Sequence, residues 1–170
     1  FAGSKALSKG ESSNAFVAKV DAKGELLFAE GVGGDGLDFG REVAALKDGS
    51  TVAVGMLDGK AVIAAGKREE RLISGPMFIA RYSSDGGLDW VEGSGIDVLP
   101  FDIGVYPNDS FAIVGAFAGR AVFGNKGPNE TRLEANNETE WFMAEYDAKG
   151  KLVFAKALGG DGGYATGVGV

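Results

Sequence analysis

The chain has 170 residues, 45% of them apolar, which suits one domain with a packed core. It contains no cysteine and no histidine, which excludes disulfides, Cys/His zinc sites, catalytic thiols and Ser-His-Asp triads. A net charge of −7 opposes a phosphate-binding surface, so nucleic acid is not an expected partner, and no apolar run approaches the 18 or so residues of a membrane span.

In chain order, the start Phe1-Ala2-Gly3-Ser4-Lys5 has neither an initiator Met nor the apolar run of a signal peptide. The expectation is therefore a processed or excised piece of a longer chain. A first strand is predicted over residues 16–21, where Phe16, Ala18 and Val20 alternate with Val17, Lys19 and Asp21. Ala22-Lys23-Gly24 then turns the chain, with glycine where a positive φ is needed. A second strand is predicted over 25–31, a third over 41–46, a Lys47-Asp48-Gly49-Ser50 turn, and a fourth over 51–56. Strand, Gly-containing turn, strand is a strong local signal for antiparallel pairing. Residues 67–72 are charged and short and read as a decorated loop. The polar stretch 125–136 reads as an inserted loop of the kind that carries binding on a rigid scaffold.

The chain repeats itself. Phe16-Val17-Ala18-Lys19-Val20 returns as Phe78-Ile79-Ala80-Arg81-Tyr82 and as Phe142-Met143-Ala144-Glu145-Tyr146, at offsets of 62 and 64 residues. Phe28, Trp90 and Phe154 follow at matching positions, and Gly-Gly-Asp-Gly stands at both 33–36 and 159–162. Asp48-Gly49-Ser50 matches Asn108-Asp109-Ser110. Four short antiparallel strands per repeat cannot bury both faces alone, and radial stacking of such units gives a β-propeller. The expected fold is all-β, with β-propeller blades of four antiparallel strands and about three blades in a partial ring. A β-sandwich is the alternative. Residues 1–170 form one partial propeller, with equivalent starts near Phe16, Phe78 and Phe142. A closed ring needs about 4–8 blades, so the partners expected are the remainder of a longer parent chain or further copies completing the ring.

Phe-Val-Ala-Lys-Val-Asp-x-x-Gly, an aromatic four residues on, Gly-Gly-Asp-Gly, and a later Asp-Gly-x-x-x-Val-x-Gly strand together resemble the bacterial SBBP-type β-propeller repeat. The block Phe117-Ala118-Gly119-Arg120-Ala121-Val122-Phe123-Gly124 is similar to versions in large secreted proteins and lipoproteins. The resemblance spans nearly the whole chain. It implies a secreted or cell-surface bacterial protein in which the propeller is a binding or structural module. The middle copy departs from the pattern, with Gly95-Ile96-Asp97-Val98 in place of Gly-Gly-Asp-Gly.

Candidate sites follow from residue type. Asp35, Asp38 and Asp161, in or beside the Gly-Gly-Asp-Gly loops, offer carboxylates to calcium, which takes 6–8 oxygens. There is no Asp-x-Asp-x-Asp run, so tight turns are the preferred reading and no cofactor is expected. Aromatics at repeat-equivalent positions read as blade core. Trp141, Tyr106 and Tyr164 fall outside that equivalence and are the ligand-binding candidates. Glu30, Glu42, Glu92, Asp97 and Asp102 supply possible acid pairs for glycoside hydrolysis, which needs carboxyls about 5–10 Å apart. Asn108, Asn129 and Asn137 head Asn-x-Ser/Thr acceptor patterns. The expected function is a non-catalytic extracellular scaffold or binding module for protein or carbohydrate interaction or for structural assembly at the cell surface. The alternatives are a calcium- or glycan-binding lectin-like module and an acid-pair hydrolase.

Overall fold

The computed structural model describes residues 13–64, 70–94, 97–124, 127–136 and 139–159. These residues are all-β, with no helix among them, and so none long and apolar enough to cross a membrane. The strands in chain order are β1 (Ala15–Val20), β2 (Leu26–Gly34), β3 (Phe39–Ala45), β4 (Thr51–Met56), β5 (Lys60–Ile63), β6 (Arg71–Ser74) and β7 (Met77–Tyr82). They continue as β8 (Leu88–Ser94), β9 (Val98–Val105), β10 (Phe111–Phe117), β11 (Arg120–Phe123), β12 (Thr131–Glu134), β13 (Glu140–Tyr146) and β14 (Leu152–Ala157).

Turn chemistry sets the hairpins. Asp21 Oδ1 accepts the amides of Lys23 and Glu25 at 2.8 and 2.9 Å, and the chain reverses through Gly24 at φ +83°. Asp147 repeats this with Lys149 and Lys151, both at 2.9 Å. The other turn family is held by Asp48 and Asn108, whose Oδ1 atoms accept the amides of Ser50 and Ser110 at 2.9 and 3.1 Å. Short polar side chains that bond their own backbone two residues on favour such turns over continued strand.

Three four-stranded antiparallel sheets result. The second has the order β3-β4-β7-β8 and the third β9-β10-β13-β14. The first is β1-β2-β5-β6, in which the β5–β6 hairpin follows β4 of the second sheet in the chain but pairs with β2. Among the described residues the corresponding hairpin β11–β12 pairs within itself, while residues 95–96, which match Gly33 and Gly34 of β2, lie outside them. The register slips at one equivalent place in all three sheets: Lys19/Val20, Arg81/Tyr82 and Glu145/Tyr146. A bulge recurring in this way is a feature of the repeat.

The four strands read in one copy of the repeat are therefore present but divided. β1 and β2 close one sheet, while β3 and β4 open the next. Parts of two expected loops are strands instead, residues 67–69 and 125–126 lying outside the described residues. Arg71 and Leu72 lie in β6, and residues 131–134 of the polar 125–136 stretch form β12. Both strands have four residues, too short a run to show a period in the sequence.

The sheets stack face to face. Between the first and second lie Ala15, Val17, Phe28 and Val32 against Phe78, Ala80 and Tyr82. Between the second and third lie Val52, Val54, Met77 and Ile79 against Phe111, Ile113, Phe142 and Tyr146. Each fully buried side chain of this size contributes about 1.5–3 kcal/mol. The repeat-equivalent aromatic of β2 or β8 binds each joint: Phe28 stacks on Tyr82 at 6.2 Å, and Trp90 on Phe111 at 6.3 Å.

Candidate functional site

The opening strands β3 and β9 of two successive sheets lie side by side. The turns that follow them therefore meet at one end of the stack. Lys47, in the β3–β4 turn, fastens them together. Its amide donates to Asp109 Oδ1 at 3.0 Å and its ammonium donates to the Pro107 carbonyl. Asp109 sits at φ +63° with its own amide on the Tyr106 carbonyl at 3.0 Å. A groove of about 410 Å³ opens here, lined by Ala45, Lys47, Val105, Tyr106, Pro107 and Asp109. It combines a tyrosine ring, an exposed proline, one ammonium and one carboxylate, on a frame of paired strands.

A smaller cleft of about 110 Å³ lies at the joint between the second and third sheets, bordered by Glu92, Gly124, Pro128, Asn129, Lys151 and Leu152. Asn129 Nδ2 donates to the Leu152 carbonyl at 2.8 Å and closes one side. The buried Tyr146 phenol is pushed well above its ordinary pKa by burial and then by the Glu92 charge. At the preceding joint Tyr82 is shifted the same way by burial and Glu30. Glu30 and Glu92 thus hold equivalent places in two successive joints, one acid to each.

Of the sequence candidates, Tyr106 lines the larger groove. Trp141 is elsewhere: it pairs with Ala116, which pairs with Leu99 at the start of β9, the end of that strand away from Tyr106. Its ring packs on Phe101 at 5.5 Å. Asp35 is exposed in the β2–β3 turn. Asp38 is 2% exposed, and its two oxygens accept the amides of Gly34 at 2.8 Å and Asp58 at 3.1 Å. That carboxylate ties the β2–β3 turn to the β4–β5 turn. Among the described residues no group of three Asp, Glu, His or Cys side chains is placed to hold a metal. Asp161 and Tyr164 lie outside the described residues.

No protein-family model matches the chain, and no curated protein matches it either.

Residue type alone does not mark Lys47, Pro107 or Asp109 for binding. The usable signal was the repeat itself. Lys47 and Pro107 occupy equivalent turns of adjacent copies, and stacked repeats bring equivalent turns to the same end.

Proposed function

We propose that the chain is an arc of a β-propeller that serves as a non-catalytic binding scaffold, with the Tyr106 groove as its ligand site. The observation that carries this is the groove itself, built where the turns of two successive sheets are fastened by Lys47. It is a shallow groove of about 410 Å³, more open face than enclosed cavity, the form that leaves one side of a bound sugar in solvent. An aromatic ring with hydroxyl, ammonium and carboxylate at its rim suits a polar ligand of one or two rings, and a carbohydrate is the class we assign. One acid lines the groove, and its Oδ1 accepts the Lys47 amide. Acid-pair hydrolysis requires two carboxyls in one site, so binding without turnover is the better reading. Three successive sheets joined by recurring contacts favour a propeller arc over a two-layer sandwich. The repeat resemblance points to a secreted or surface-exposed bacterial protein.

The test is a glycan array followed by titration of a hit against the full chain and Tyr106→Ala. Binding that falls at least tenfold in the variant, with no released sugar, supports the reading. Binding unchanged by Tyr106→Ala, or hydrolysis of the bound glycan, overturns it.

A further inference from the structure

Each joint between sheets repeats one contact. An aromatic at one repeat position, on β2 or β8, lies over the turn glycine of the next sheet. A methyl group added at Gly86 would stand 2.6 Å from the Phe28 ring, and one added at Gly150 would stand 2.3 Å from the Trp90 ring. The turns are alike, with φ of +89° and +79° and the glycine amide on the Ser83 or Asp147 carbonyl at 2.9 Å. The aromatics are alike in register, Phe28 opposite Lys19 and Trp90 opposite Arg81.

The chain carries each half of this contact once more. Phe154 stands opposite Glu145 in the same register, half-buried on the face of the third sheet that turns away from the second. Gly24 has the same turn, with φ +83° and its amide on the Asp21 carbonyl at 3.0 Å, and nothing lies within 4 Å of where its Cβ would be. The surroundings match as well. Phe16 and Val20 are 61% and 58% exposed, while their equivalents Phe78 and Tyr82 are 1% and 0% exposed inside a joint. Trp141 and Met143, on the outward face of the third sheet, correspond to Met77 and Ile79, both fully buried inside a joint. One polar pair changes on both sides together. The Glu30 charge acts on Tyr82 and the Glu92 charge on Tyr146, but at the two open faces the equivalent residues are Lys156 and Val20. No phenol would then be set against the ammonium.

From this we infer that the third sheet of one copy docks on the first sheet of a second copy, with Phe154 laid over the Gly24 turn. The interface is head-to-tail, so copies form a ring where the rotation closes and a filament where it does not. The joint uses no residue of the Tyr106 groove.

Sedimentation and light scattering of the full 170-residue chain over a wide concentration range test this. The expected result is concentration-dependent association, weakened at least about tenfold by Phe154→Asp, as befits loss of a central aromatic contact. A second measurement does not depend on that variant's folding. The chain has no cysteine, so Lys23→Cys and Phe154→Cys chains can be mixed and oxidised. Mixed disulfides between the two variants in preference to like pairs support the joint. A monomer at every concentration, association unaffected by Phe154→Asp, or disulfides formed only between like variants overturns it.

Discussion

Trp90 of the second sheet lies nearly parallel to Phe111 of the third, with ring centroids 6.3 Å and planes 11° apart. Phe111 in turn stacks on Tyr146 at 5.4 Å. The joint between these sheets is thus a run of three flat rings crossing from one sheet to the next. Stacked pairs contribute about 0.5–1.5 kcal/mol beyond their buried area.

Phe142 anchors the same joint from the other end. It is fully buried, 4.7 Å from Phe123 and 6.5 Å from Phe117, and its ring fills the space beside Gly115. Phe142→Ala is expected to lower unfolding stability by about 3–5 kcal/mol. Chemical denaturation gives this directly, and an unchanged midpoint would remove Phe142 from the core.

Asp38 gathers three segments. Its carboxylate takes the Gly34 and Asp58 amides, and its own amide donates to the Ser13 carbonyl at 2.9 Å. Asp38→Ala removes the acceptor while both amides stay in place, and the expected cost is about 1–3 kcal/mol. Hydrogen exchange at Gly34 and Asp58 should speed up in the variant relative to the rest of β2.

Asp48 makes acid stability pH-dependent. The Ser50 hydroxyl and amide, with Arg81 beside them at 2.6 Å, hold its carboxyl below the ordinary value of 3.8. A folded pKa below the unfolded one stabilises above the unfolded value, and that stabilisation is lost as the pH falls through the folded one. Carbon-detected NMR titration should place the Asp48 midpoint below 3.8, and Ser50→Ala should move it up.

The two joint tyrosines act at the alkaline end. Burial first, then Glu30 at Tyr82 and Glu92 at Tyr146, raises both phenols above the ordinary value of 10.0. The fold favours the neutral phenols, so their contribution is intact below about pH 10 and is lost as the pH rises above it. Ultraviolet titration should show these two tyrosines ionising only as the structure opens. Glu30→Gln should bring Tyr82 partway down and leave Tyr146 where it was.

Repetition made the core legible and left exposure unread. Phe16, Phe78 and Phe142 are one position in three copies, and on that ground all three read as core. Phe78 and Phe142 are core. Phe16 is exposed because its sheet has no described neighbour on that face, a property of stacking order that a local pattern cannot carry. Of the groove, Tyr106 stood out as a non-equivalent aromatic. Its companions did not, since Lys47 and Asp109 meet across 62 residues and neither is unusual for a turn. Hairpins β5–β6 and β11–β12 escaped for another reason. Strands of four residues are too short to show a period and owe their conformation to the strands they pair with.

Packing is not all that holds the first joint. The β5 backbone is bonded to β2 through Val32↔Ile63, Gly33↔Val62 and Gly34↔Ala61, so the chain that leaves the second sheet reaches back and grips the first. Pulled apart, these two sheets meet at a welded seam, and the force at which it yields should be set by backbone bonds as well as by side-chain packing.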